Sequence, residues 1–236
     1  MSLLTVVQQF CNRTGLPSPA TVMGTTDDGV KQIRALLEEE GNDLALRGAW
    51  QGMVQEASLT TVATESQGAI TTIASGFRSI INQTIWSRTR RLPVCGPLDA
   101  KQWQMLKALF VNGPYYRHRI RGGLLLVNPV PPAGESWYFE YSSANWILGA
   151  DGSTYKQYFT LDTDTLIIPE SLALMGLRWR WKKEKGFDYS EDFRTYELQV
   201  KDALGRDGGK DTLCMDAYTE GMKPGVFVPA GTWMSP

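Results

Sequence analysis

Apolar side chains return every third or fourth residue in some parts of this chain and every second residue in others, so both helices and strands are expected. Leu3 to Phe10 predicts a first short helix, capped by Ser2 and closed by Arg-Thr-Gly-Leu-Pro. Val30, Ile33, Leu36 and Leu37 give the single stripe of a second helix, with Asp27 or Asp28 as its cap. Glu38, Glu39 and Glu40 follow, and Gly41 reads as the stop, with a short helix after it at 43–47. Acids in a last turn oppose the helix dipole, so this end is either solvated or faces a basic neighbour in an assembly. From Trp50 the texture turns to Thr, Val and Ile in alternation, with Ser66-Gln67-Gly68 as the tip of a hairpin. Asp99 caps another amphipathic helix running to Phe110. Beyond Asn112-Gly113-Pro114 the pattern is mostly β. Strands flank Gly122-Gly123, and two more, Ser136 to Ile147 and Thr154 to Asp162, flank the Asp151-Gly152 turn.

The stretch from Pro169 to Gly209 reads as a helical hairpin. Pro169 suits a helix start, and Leu172, Met175, Trp179 and Leu174, Leu177, Trp181 make two adjoining stripes. Arg178, Arg180, Lys182, Lys183 and Lys185, less Glu184, leave a local charge of +4 near the end of the first helix, where the dipole favours cations. Gly186 is the left-handed stop and Phe187 closes back on the helix. Ser190 caps the second helix, which Gly205 ends. The two tryptophans among these cations admit three readings: a core helix with a charged outer face, a nucleic-acid platform, or a membrane anchor. Packing in the core is the expectation, because platforms for single strands are usually grooves in β-barrels.

These elements define an α+β chain with four parts. Residues 1–114 hold N-terminal helices and a β-hairpin, 115–168 an antiparallel β part, 169–205 the helical hairpin packed on the N-terminal helices, and 206–236 an extended C-terminal arm. The arm's Gly and Pro exclude a long helix, yet it is too apolar for a solvated tail. It is expected to order on a partner, with Phe227 and Trp233 as anchors.

Composition narrows the function classes. The formal charge is −1 in 236 residues, so the whole chain has no electrostatic bias toward nucleic acid or anionic membrane. No apolar run reaches the ~20 residues of a membrane helix, and no secretory leader is expected. Cys11, Cys95 and Cys214 are odd in number and widely spaced, which argues against a disulfide framework or zinc site and favours buried thiols. His118 is the only histidine and lies in a basic strand, so histidine relays and cages are excluded. No phosphate-binding glycine loop, nucleophile elbow or dinucleotide fingerprint occurs. Asp162 and Asp164 are read as a solvated turn in preference to a cation site. No catalytic residue, metal or cofactor is therefore assigned. Arg78, Arg88, Arg90, Arg91, Arg117, Arg119 and Arg121 form basic strand and loop material. They support a rival reading as a nucleic-acid-binding module with Arg/Trp-rich surfaces. The aromatics Trp137, Tyr138, Tyr141 and Trp146 support a lesser one, carbohydrate binding.

Three stretches together carry a family resemblance: "DDGVKQIRALLEEEGNDLALRGAW" before a Thr-rich segment, "WSRTRRLPVCGPLDAKQW", and "IIPESLALMGLRWRWKKEKGFDYSEDFRTYELQVKDALGRDGG". Over most of its length the chain resembles the head-to-tail adaptor proteins of short-tailed bacteriophages, the group of tail tubular protein A. The resemblance implies a structural virion protein of the neck, made in the host cytoplasm and without catalysis. It implies a ring of twelve copies between the portal protein and the tail nozzle protein, through which DNA passes without specific binding, and no membrane partner. Ring closure needs complementary heterologous surfaces. The expected assembly residues are Arg178, Arg180, Lys182, Lys183 and Lys185, opposite acids such as Glu38 to Glu40, with Phe227 and Trp233 on the arm. Asp151, Gly152 and Tyr155 are expected to dock the tail, since the β part faces it in the family.

Overall fold

In the computed structural model, which describes residues 1–108 and 115–208, the chain is α+β with antiparallel strand pairs and divides into two compact units. Each unit is assembled from separated stretches. The first contains 1–57, 70–81 and 140–208; the second contains 58–69, 82–108 and 115–139. The expected single β part at 115–168 is thus divided at 139/140. The expected arm at 206–236, from 209 onward, and Phe110 lie outside the described residues.

Four helices carry the first unit: α1 (Leu3–Thr14), α2 (Asp28–Arg47), α5 (Glu170–Glu184) and α6 (Ser190–Asp207). Their apolar stripes meet in one core that includes Leu3, Phe10, Leu37, Leu44, Leu177 and Trp179. Ser2 caps α1 as predicted, and Gly15 closes it at φ 71°. The first amides of α1 are satisfied from far along the chain: Leu3 donates to the Asp164 carbonyl at 2.8 Å and Leu4 to that of Asp162 at 3.2 Å.

The structure corrects the reading of α2. The helix runs unbroken through Gly41 to Arg47. Gly41 is not a stop but a point of close approach. A Cβ there would lie 2.3 Å from the ring of Trp146, which is fully buried and donates its indole N–H to Asn42 at 3.0 Å. The helix ends instead where the guanidinium of Arg78 meets the carbonyls of Ala45, Leu46 and Gly48, a cation on the negative end of the dipole. Arg78 itself belongs to β3 (Phe77–Ile80), which pairs with the far end of a strand at 136–143.

The helical hairpin forms as its sequence demands. Gly186 sits at φ 75°, Phe187 donates to the Lys182 carbonyl at 2.9 Å and Gly186 to that of Lys183 at 3.1 Å, a Schellman closure. The Phe187 ring stacks on Trp181 at 6.0 Å. Asp188, two residues before the predicted Ser190, accepts the first amide of α6 at 3.0 Å. α6 continues past Gly205 to Asp207.

In the second unit β6 (Arg117–Arg121) and β7 (Leu124–Asn128) form the predicted hairpin, with Gly122 and Gly123 at positive φ. The hairpin expected with its tip at Ser66-Gln67-Gly68 is absent: β1 (Val54–Thr60) ends before these residues, and they lie in a strand of their own, β2 (Ser66–Ala69). β2 pairs with β7 instead, through Ser66 with Leu126 and Ala69 with Leu124. The Gln67 side chain folds back on Val62, accepting its amide at 2.9 Å and donating to its carbonyl at 3.1 Å, which turns the chain within 62–67. α4 (Ala100–Ala108) has the predicted cap. Asp99 accepts from the Gln102 amide at 2.7 Å, and the Gln102 side chain accepts from the Asp99 amide at 3.3 Å. Trp103 and Leu106 of α4 cover Leu126 on the sheet.

Two glycine substitutions separate packing from helix propensity. Gly41→Ala is expected to lower stability by about 1–3 kcal/mol through overpacking against Trp146, despite alanine's better propensity. Gly205→Ala, where an added Cβ meets nothing within 4 Å, is expected to raise it by about 0.5–1 kcal/mol. Urea unfolding midpoints check both.

Candidate functional site

Helix α5 delivers its cations to very different surroundings. Arg180, expected on the assembly surface, is buried. Its Nε donates to Glu40 at 2.7 Å, its Nη2 to Asp43 at 3.0 Å, and its Nη1 meets Glu39. Glu40 is itself fully buried and accepts the Tyr196 hydroxyl at 2.5 Å. Burial pushes the Glu40 carboxyl above its ordinary range, while the hydrogen bonds from Arg180 and Tyr196 pull against it. The Tyr196 phenol is raised by burial and by the Glu40 charge beside it. The acids read as an opposing surface for a neighbouring copy are therefore largely spent within one chain. Gly176 completes the arrangement: a Cβ on it would lie 2.0 Å from the Glu40 carboxyl, so glycine lets α5 press onto that side chain.

The remaining cations are nearer the surface. Arg178 and Lys182 share Asp192 of α6, and Lys185 donates to the Gln32 side chain at 2.9 Å. Lys183 is exposed and meets no acid among the described residues. Trp179 is buried, ringed by Tyr189, Phe193 and Tyr196. Trp181 is half-buried, T-shaped to Phe10 and stacked on Phe187. The tryptophans are thus core and core margin, as read. Two open clefts flank Trp181. One of about 290 Å³ lies between α1 and α5 with Phe10, Arg13 and Met175 in its walls, and one of about 210 Å³ is walled by Leu16, Ile33 and Lys185.

The second candidate surface is the turn between β9 (Ile147–Leu148) and β10 (Tyr155–Lys156). Asp151 accepts from the amide of Thr154 at 3.1 Å and that of Ser153 at 3.3 Å, and from both hydroxyls. These bonds, led by that from the Thr154 hydroxyl, hold its carboxyl far below the usual range. Gly152 takes φ 68° at the tip, and Tyr155 and Tyr158 are exposed beside it. Trp146, a few residues before this tip, faces the core. So do Trp137 and Tyr141, which removes most of the aromatic surface that favoured carbohydrate binding. Phe227 and Trp233 lie outside the described residues.

Asp162 and Asp164 form neither a solvated turn nor a cation site. Asp162 binds the amides of Val22 and Met23 at 3.1 and 2.8 Å. Asp164 is fully buried and takes the amides of Thr160 and Leu161 and the ammonium of Lys156. No group of three metal-ligating side chains gathers among the described residues, and no described helix is long and apolar enough to cross a membrane. Cys11 is buried as expected, but Cys95 is exposed.

Sequence reasoning missed the polar centre of the second unit. Glu135 is buried and accepts from the Trp137 indole at 2.9 Å, the Tyr116 hydroxyl at 3.1 Å and Ser87 at 3.3 Å. Its only advance signal is a carboxylate two residues before a strand tryptophan. His118 is also buried, and neither ring nitrogen has a hydrogen-bond partner among the described residues. Burial lowers its pKa to about 4, against a weaker upward pull from the carbonyls of Cys95 and Val94.

No protein-family model matches the chain, and no curated protein matches it.

Arg180→Met should destabilise by about 3–5 kcal/mol, because Glu40 is left buried without its cation. The loss should shrink below neutral pH as the carboxyl takes up a proton, and adding Glu40→Gln should restore part of it; chemical denaturation at several pH values reads both. His118 carries a pH dependence of its own. Its folded pKa of about 4 lies below the ordinary 6.5, so its stabilisation is complete above pH 6.5 and falls as pH drops toward 4. The full effect is about 3 kcal/mol. His118→Leu should flatten the stability profile between pH 6.5 and 5, a window above most carboxylate titrations.

Proposed function

We propose that this chain is a structural adaptor of a short-tailed bacteriophage: a ring-forming virion protein, not an enzyme, that joins the portal to the tail and extends the DNA channel. The observation that carries this reading is the α5–α6 hairpin. The stretch on which the resemblance chiefly rests forms one continuous helical hairpin against α1 and α2. Its turn presents Lys183 and Lys185 with no acidic partner among the described residues. In this reading the exposed end of the hairpin meets acidic groups of the portal or of a neighbouring copy. The Asp151-Gly152 tip with Tyr155 receives the tail nozzle protein. Arg180 takes no direct part, because its charge is neutralised inside the protomer.

Each exposed ion pair contributes only ~0–1 kcal/mol, but a ring repeats it at every interface. Mixed with a portal ring, the purified chain is expected to elute as a large complex and to appear as a twelve-fold ring by negative-stain microscopy. Lys183→Glu with Lys185→Glu should keep the monomer's melting temperature and weaken that complex, more at low salt than at high. A chain that stays monomeric beside the portal would defeat the adaptor reading. Unchanged assembly by the double variant would defeat only the assigned surface.

A further inference from the structure

The charge of the chain is divided between its two units. The described residues of the second unit carry eight lysines and arginines against three acids, a balance of +5. Those of the first carry fourteen against nineteen, a balance of −5. The near-neutral total therefore conceals a small, strongly basic β unit. Its three acids are already engaged: Glu65 with Lys107, Asp99 as the cap of α4, and Glu135 in the buried cluster.

Three of the cations form a row. Arg117, Arg119 and Arg121 occupy alternate positions of β6, so they share one face of the sheet at intervals of roughly 7 Å. The intervening His118 and Ile120 turn to the other face, where their cross-strand neighbours Val127 and Leu125 are fully buried. Arg117 and Arg121 are exposed and Arg119 is half-buried. None of the three meets an acid among the described residues. β6 is the last strand in the order β2-β7-β6. Arg119 lies across from Leu126, which α4 covers, so the row runs beside α4 and its exposed Lys101.

We propose that this face of the second unit binds the phosphodiester backbone of nucleic acid without reading its sequence. Arginine, rather than lysine, supplies forked donors that match phosphate oxygens. Regular spacing of one sign suits a polymer of regular opposite charge. Contacts of this kind position a strand and carry no base information. A folded acidic partner is the less fitting occupant, because protein interfaces centre on apolar anchors and are depleted of charge at their core. Here the apolar Leu126 is already covered by α4. The binding holds whether or not the chain assembles into rings.

Fluorescence anisotropy of the full chain with a labelled duplex of arbitrary sequence tests this. Three neutralised phosphates make affinity fall about 40-fold between about 50 and 200 mM salt. Arg117→Gln, Arg119→Gln and Arg121→Gln together should abolish most of that salt dependence and weaken low-salt binding by at least about tenfold, with an unchanged circular dichroism spectrum. Should the triple variant misfold, Arg117→Gln with Arg121→Gln alters only exposed positions, and should leave a salt dependence of about fourfold. Lys183→Glu with Lys185→Glu should leave duplex binding as it was, which keeps this face distinct from the assembly surface. No binding at low salt, or binding unchanged by the arginine variants, would overturn the proposal. Displacement of the duplex by polyglutamate at equal charge would overturn it too, and would assign the face to an acidic protein.

Discussion

A carboxylate without access to water has to be neutralised where it stands, and for Glu40 that means Arg180. The organisation of the helical unit follows from this pair. Arg180 reaches Glu40 because α5 approaches α2 closely, and it does so because residue 176 has no side chain. Tyr196 of α6 donates to the same carboxylate, so three helices are tied at one point. Arg47, one helical turn beyond Asp43, extends the network to Glu197 on α6 and lies over the Tyr196 ring. Burying such charges yields little net stability compared with an apolar core, but it specifies which helix faces which, since any other register leaves a charge unpaired.

The second unit solves the same problem with neutral donors. Glu135 has an indole, a phenol and a hydroxyl around it, and Arg90 stands 3.9 Å away, over the Tyr116 ring. The network draws on β4 (Trp86–Ser87), Tyr116 and the strand at 136–143, so it fixes the register of short strands that have few ladder bonds of their own. Acids used in this way are withdrawn from the surface. That is why the Arg117, Arg119 and Arg121 row meets no acid among the described residues.

These two centres change what the surface can offer. The charges that stand out in the linear sequence, the Glu38 to Glu40 run and the Arg178 to Lys185 run, mostly satisfy each other or Asp192. Of the Arg178 to Lys185 run, Lys183 and Lys185 are what remains for a partner. The row on β6 is modest in the sequence, yet its strand geometry sets all three arginines on one face. The two proposed roles, assembly through one unit and contact with a polyanion through the other, are compatible, because each uses a different set of side chains.

Local chemistry was legible from the residues alone. Caps at Ser2, Asp27 and Asp99, the Gly122-Gly123 hairpin, the Gly186 closure and the core stripes of α5 are short-range consequences of residue type at a given spacing, and the α+β class followed from them. Long-range identity was not legible. Gly41 and Gly186 look alike in sequence, but one is a left-handed stop and the other makes room for Trp146, a residue more than a hundred positions away. Arg180 differs in no local respect from Arg178, yet one is buried and the other exposed, because helical phase turns one toward α2 and the other toward solvent. The hairpin expected about Ser66-Gln67-Gly68 failed for a related reason: alternation declares a strand without naming its partner, and these residues became β2, which found β7. Sequence by itself determined where helices begin, where turns fall and which faces are apolar. Only the tertiary structure decided which charges are consumed and which are left, because neutralisation depends on distances between residues that the chain brings together after folding.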